Sequence, residues 1–168
     1  MVRHRLVNNG ESQGSIVIFI VFGVLVAVGA AFYFVLAPYI FKPTVDLWLG
    51  DGIFRAQIAT DGVTRQRGLS GVDKLDKDQA MLFVFPVEGR HEIWMKDMKI
   101  PIDIVWLNKD RRVIFMVKNA QPTSSKSGKY KPETPALYVV EFPAGTVDSR
   151  SIIIDGKATF KIDMESVK

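Results

Sequence analysis

At 168 residues and a net charge of +4, the chain has room for one domain plus an appendage, and so mild a charge gives no argument for a nucleic-acid partner. It has no cysteine and two histidines, His4 and His91. That excludes a disulfide framework, thiol catalysis and Cys-ligated metals and leaves a His-rich zinc site without ligands, so no metal and no cofactor is expected.

The appendage comes first. A short tail (1–15) precedes an uncharged run from Ile16 to Ala37, dominated by Ile, Val, Phe, Leu and Ala and ended by Pro38 and Lys42-Pro43. As a helix at ~1.5 Å per residue the run reaches ~33 Å, enough for a hydrocarbon core of ~30 Å. A single transmembrane anchor over 16–41 is therefore expected. Val28-Gly29-Ala30 is a small-residue site of the kind a signal peptidase cuts, but the apolar run continues past it through Phe32 to Leu36, which favours an uncleaved anchor. Arg3 and Arg5 before the run, against Lys42 and Arg55 after it, favour a cytoplasmic N-terminus. The expected location is the cell membrane, single-pass, with the remainder (42–168) a soluble extracytoplasmic domain.

Within that remainder, Val45–Leu49 and Ile53–Ala59 flank Gly50-Asp51-Gly52, the pattern of a β-hairpin. Asp61 or Thr60 can cap a short helix through Arg65 and Gln66 that must stop before Gly68. Arg65-Gln66-Arg67-Gly68 sets two guanidinium groups beside a glycine, either an anion clamp or two solvated arginines. After the charged loop Asp73–Asp78, Met81–Phe85 reads as a central strand buried on both faces.

The most informative stretch is Glu92 to Leu107. Two β-prone runs, each with a tryptophan, flank the polar hinge Lys96-Asp97-Met98-Lys99, and Pro101 suits a turn entering a strand. In the second run, alternation puts Ile102, Ile104 and Trp106 on one face and Asp103, Val105 and Leu107 on the other. A carboxylate among aliphatic side chains needs a partner, and Lys96, Lys99 or an arginine is the ordinary structural one. Val113–Val117 is the next strand. The loop from Lys118 to Pro135 carries Lys126, Lys129 and Lys131 around Tyr130, a solvated loop or a contact for an anionic partner or lipid headgroups. Leu137–Phe142 is a strong strand in which Glu141 shares a face with Leu137 and Val139, opposite Tyr138. Thr146 can cap a short turn to Arg150, and Ile152–Ile154 and Ala158–Ile162 close the chain as strands. Together these elements predict a mainly β fold: a small barrel- or sandwich-like domain with one or two short helices, preceded by a single transmembrane helix.

Five blocks then stand in a recognisable order: Arg65-Gln66-Arg67-Gly68-Leu69, Met81-Leu82-Phe83-Val84-Phe85-Pro86, Ile93-Trp94-Met95-Lys96-Asp97, Ile100-Pro101-Ile102-Asp103-Ile104 and Pro135-Ala136-Leu137-Tyr138-Val139-Val140-Glu141. In this order the chain resembles domain-of-unknown-function family 192 over about 47–160. The resemblance implies a small, mostly β domain, often exported or tethered by one N-terminal helix, and implies no activity. Family members typically carry Asn-Thr where this chain has Asp97-Met98, and Gly where it has Ala80.

Three functions are compatible with these residues. A surface binding module for an envelope glycan, peptide or small ligand would use Trp94, Trp106 and Tyr138 as flat apolar surface and Arg67, Lys96, Asp103 and Glu141 as polar contacts. A hydrolase would use Asp103 and Glu141 as an acid/base pair. An assembly role would dock the domain onto another envelope protein. The candidate ligand-binding residues are Arg67, Trp94, Lys96, Asp103, Tyr138 and Glu141, with at least one cation expected to pair with Asp103 or Glu141.

Overall fold

A computed structural model describes residues 18–31, 43–123 and 128–168. The chain divides into two compact units, Met1–Lys42 and Pro43–Lys168. In the first, α1 (18–31) is an apolar helix with its side chains exposed. Among the described residues no helix is long and apolar enough to cross a membrane. The rest of the expected span, at 16–17 and 32–41, lies outside them.

In the second unit the chain folds in the order β1 (Thr44–Leu49), β2 (Gly52–Ala59), α2 (Gly62–Arg67), β3 (Gln79–Gly89), β4 (Ile93–Trp94), β5 (Ile102–Leu107), β6 (Val113–Ala120), β7 (Lys129–Tyr130), β8 (Ala136–Pro143), α3 (Thr146–Ser149) and a final 3-10 turn, Met164–Ser166. Six strands form one mixed sheet in the order β1-β2-β3-β8-β5-β6, while β4 and β7 pair separately. The β2–β3 pair is parallel, because α2 and the loop after it carry the chain back across the sheet before β3 begins. The other ladders are antiparallel.

The hairpin turn requires its glycine. Gly50 sits at φ +58, and a Cβ there would lie 2.0 Å from the Arg150 carbonyl oxygen, which accepts the Asp51 N–H at 2.8 Å.

The sheet does not close into a barrel: β1 and β6 are its two edges. Instead the C-terminal segment straps across them, with Thr159 bridged to Trp48 and Lys157 to Arg112. This corrects the expected strands at Ile152–Ile154 and Ala158–Ile162. Ile152–Ile154 make no bridge, and in the second stretch Thr159 alone makes one, because the segment touches each edge at a single residue, Thr159 at one and the preceding Lys157 at the other, and forms no ladder with either.

Strand alternation gives the sheet two buried faces. One packs Leu47, Phe54, Leu82, Val105, Phe142 and Phe160 beneath α3 and the C-terminal strap. The other packs Met81, Phe83, Ile104, Trp106 and Val139 beneath Leu69, Ile93 and Met95. The side with Leu69 carries the cleft described next.

Candidate functional site

The cleft is built from α2 downwards. Asp61 caps this helix reciprocally: its Oδ1 accepts the N–H groups of Val63 and Thr64, both at 2.9 Å, and Thr64 Oγ1 accepts the Asp61 N–H at 3.3 Å. The backbone hydrogen bond from Thr64, followed by its side-chain one, holds the Asp61 carboxyl below the usual carboxylate range. Gly68 ends the helix at φ +51, with a Cβ position only 3.3 Å from Phe83, so the turn lies close against β3.

Two arginines leave this short helix in different directions. Arg65 is fastened down: it donates to the Val84 carbonyl at 2.9 Å and the Lys168 main-chain oxygen at 2.6 Å, and its guanidinium lies 5.3 Å from the Phe85 ring centre. The Arg67 side chain is exposed and makes no hydrogen bond or ion pair with any described residue.

Below them lies a cleft of about 310 Å³. Its walls include Leu69, Phe83, Phe85, Ile93 and Met98, its rim Arg65, Arg67, Trp94, Glu92 and Lys129, and Glu141 lines it from the sheet. Glu92 and Lys129 form an ion pair across β4 and β7. Trp94 is 41 % exposed.

Glu141 is the unusual group. Its register neighbours are Met81 on β3 and Ile104 on β5, both apolar, and it is 4 % exposed. Its Oε2 is buried with no hydrogen-bond partner among the described residues. Desolvation raises the carboxyl from its ordinary 4.5 to about 8, so it is protonated at neutral pH. A buried polar atom left unpaired is costly, and such atoms are concentrated at functional sites.

The other expected site residues divide. Arg67, Trp94 and Glu141 meet at the cleft. Lys96 lines a neighbouring depression with Arg67, Trp94 and Asp97, its Nζ 5.7 Å from the Trp94 ring centre. Asp103 and Tyr138 lie on the opposite face of the sheet, with the core under α3. Tyr138 packs edge-on against Phe160, and Trp106 is core, its indole N–H donating to the His91 carbonyl at 2.8 Å. Asp103 is 0 % exposed and serves the backbone. Its Oδ1 accepts the N–H of Asn119, at φ +52 where the β5–β6 register shifts, and its Oδ2 accepts the N–H of Val147 in α3, both at 2.8 Å.

Three expectations are thereby corrected. No lysine or arginine pairs with Asp103 or Glu141 among the described residues; Lys96 and Lys99 pair with Asp97 and Asp73 instead. Backbone N–H groups already satisfy Asp103, and the sheet's apolar interior isolates Glu141. Secondly, Asp103 and Glu141 are separated by the sheet and cannot flank one scissile bond. Thirdly, Thr146 does not cap α3: Gly145 is the cap residue and Thr146 Oγ1 donates to the Pro143 carbonyl, which leaves the Val147 N–H to Asp103. Of the loop lysines, Lys129 belongs to the rim and Lys126 lies outside the described residues.

Sequence reasoning missed Glu92, Phe83, Phe85 and Met98 as cleft residues, and offered Arg65 and Lys129 as anion contacts without placing them in the candidate set. Phe83 and Phe85 have the right alternation on β3, and Arg65 stood in the arginine block. The Glu92–Lys129 pair left no sequence signal, because a long loop separates its members.

A larger, shallower hollow of about 800 Å³ runs beside β1, lined by Val45, Asp46, Trp48, Thr159, Phe160 and Lys161. Its charged residues are exposed, so it lacks the buried polar group that distinguishes the cleft. Among the described residues no three His, Asp or Glu side chains cluster as a metal site.

The domain is an open mixed sheet with an apolar cleft over a buried carboxyl, and comparison with known proteins gives its family. The family model DUF192, described as Uncharacterized ACR, matches residues 47–160. The chain belongs to that family. UPF0127 proteins of Thermococcus gammatolerans and Thermococcus kodakarensis are each 33 % identical, over 93 and 95 residues. The matches cover 54 % and 55 % of this chain, and the chain spans 56 % of the length of each relative. Among solved structures, a Sinorhizobium meliloti protein provisionally described as a transcription regulator superposes with TM-score 0.63 at 26 % identity, over 70 % of this chain and 92 % of its own. A Novosphingobium aromaticivorans protein of unknown function shares the fold, with TM-score 0.62 at 24 % identity, over 69 % of this chain and 83 % of its own. The departure from the family's Asn at Asp97 has a backbone explanation. Asp97 sits at φ +57, a conformation that Asn and Asp both tolerate.

Proposed function

We propose that the protein is a membrane-anchored extracytoplasmic binding module, which takes a small ligand or the end of an envelope glycan or peptide into the cleft over Glu141. The observation that carries this reading is the buried Glu141 carboxyl, unpartnered among the described residues, lining a cleft with an exposed tryptophan and, at its rim, an arginine side chain that no described residue pairs. Unpaired donors and acceptors of this kind gain their partners when a ligand arrives, so their cost in the free protein is repaid on binding. Anchoring is supported by the uncharged run Ile16–Ala37 and by the exposed apolar side chains of α1.

A thermal-shift screen of the full-length chain in detergent micelles, against envelope sugars, short peptides and small organic ions, tests the reading. Ligand at a hundredfold excess over its Kd stabilises the folded state by about 2.7 kcal/mol. The expected result is a shift that Glu141→Ala and Trp94→Ala both abolish. Silence across the whole panel, or a shift indifferent to both substitutions, removes the cleft as the binding site.

Assembly with another envelope protein is a second reading. It is supported by Trp48 and Ile53, cross-strand neighbours on the β1–β2 hairpin that are 43 % and 61 % exposed.

A further inference from the structure

We infer that the cleft selects a small organic acid carrying a second, neutral oxygen: the carboxylate binds the Arg67 fork at the rim, an apolar body lies along Phe83, Phe85 and Ile93, and the neutral carbonyl or hydroxyl oxygen pairs with the buried, otherwise unpartnered Glu141 carboxyl. This assignment rests on the cleft being a binding site and adds the chemistry of what it holds.

The sign of the charge follows from the rim. Arg65, Arg67 and Lys129 surround the opening and Glu92 is the acidic residue there, already paired with Lys129. Arg65 has both terminal nitrogens bonded to main-chain oxygens, so Arg67 is the guanidinium of the rim whose fork is wholly unused among the described residues. A planar fork matches a carboxylate with two parallel hydrogen bonds, and a cationic ligand would meet repulsion before it reached the floor.

The second oxygen follows from Glu141. The neighbouring strands present Met81 and Ile104 beside it, and the charged groups facing the cleft are Arg65 and Arg67 from α2, Glu92 before β4 and Lys129 from β7. None of them hydrogen-bonds the carboxyl among the described residues, and its Oε2 is orphaned. A carboxyl held neutral by an apolar site donates its O–H, so its natural complement is an acceptor oxygen, not an ammonium. Largely apolar walls exclude a heavily hydroxylated body, whose hydroxyls would lose water and find no partners. A volume of about 310 Å³ keeps the ligand small.

Calorimetric titration of the full-length chain in detergent micelles tests the assignment with 4-oxopentanoate, 5-oxohexanoate and 4-acetylbenzoate. Each is compared with its deoxo acid and its methyl ester, and benzylammonium serves as the cationic control. At least one oxo acid is expected to bind about fivefold or more tightly than both its counterparts. Its affinity should be level from about pH 6 to about 8, above the range where the ligand's own carboxyl titrates, and fall by about tenfold per pH unit above that, as Glu141 loses the proton it donates. Glu141→Gln, whose amide still donates, should retain the affinity and lose the pH dependence. Arg67→Ala should erase the difference between acid and ester.

Equal binding of oxo and deoxo acids, affinity that rises through pH 8, tighter binding of benzylammonium, or no heat from any oxo acid would each overturn the inference. These outcomes leave the cleft reading to its own test, since a ligand of other chemistry would still lose its thermal shift in Glu141→Ala.

Discussion

Two carboxylates in the same sheet show how far the surroundings of a residue decide its role. Asp103 has 0 % exposure yet accepts two backbone N–H groups, from the β6 bulge and from α3. Removing it leaves the buried Val147 N–H and the part-buried Asn119 N–H unpaired, so Asp103→Ala should cost about 2–4 kcal/mol in denaturant unfolding. Asp103→Asn should cost roughly half of that, because the amide oxygen can still accept one of the two bonds. Glu141 has the opposite balance, burial without partners. Its folded-state value of about 8 lies above its ordinary 4.5, so the folded protein holds the proton more tightly than the unfolded chain. Its contribution to stability is therefore fully present below about pH 4.5 and is lost as pH rises through about 8, by at most ~1.4 kcal/mol per pH unit. Glu141→Gln should remove this loss: measured against the wild type, the variant gains relative stability as pH rises from about 5 to 9. A difference that stays flat over that range would show that Glu141 is solvated or paired in solution.

At the scale of elements, α2 is less than two turns long and buries none of its residues, so its position depends on its ends and on Arg65, which is fastened to the Val84 and Lys168 main-chain oxygens. The Asp61–Thr64 capping box holds one end, and the Gly68 turn against Phe83 holds the other. Asp61→Ala should cost about 1 kcal/mol of stability. Because α2 carries Arg67 to the rim, the same substitution should weaken cleft binding in titration even where the protein stays folded, whereas truncating Arg67 itself should leave unfolding within about 0.5 kcal/mol of wild type. Loss of affinity without loss of fold is the signature of an element that places a side chain. On the far side of the sheet, α3 and the β6 bulge are linked through Asp103, so damage there should report in stability and leave ligand discrimination intact.

At the scale of the whole molecule, the unit Pro43–Lys168 contains both faces of the sheet and the strap that crosses its edges. Expressed alone, residues 43–168 should unfold cooperatively and remain in the soluble fraction. The full chain should sediment with membranes and resist an alkaline wash, since the uncharged run Ile16–Ala37 is the segment proposed to anchor it. Recovery of the full chain in the wash supernatant would remove the anchor from the proposal.

Local pattern alone was enough to identify the hairpin at Gly50, a helix start at Thr60 or Asp61, the buried strand Met81–Phe85 and the alternation through Asp103 and Glu141. Each is set by neighbours within a few residues: turn chemistry, capping and the two-residue period of a strand. Alternation also put Tyr138 and Glu141 on opposite faces of β8, yet both stood in the candidate set; it is the packing of Tyr138 against Phe160 in the core that takes it out of the site with Glu141. What pattern could not supply was register and strand order. The parity of Asp103 and of Glu141 was legible in each strand, but their separation by the sheet depends on Asp103 facing Phe142 and Ile104 facing Glu141 across β5 and β8. The open edges, the strap that replaces two expected strands and the Glu92–Lys129 pair likewise join residues far apart in sequence. Tertiary structure alone decided that one carboxylate is satisfied by backbone and the other left bare over a cleft, because burial and hydrogen bonding are properties of what packs around a residue and not of the residues beside it in the chain.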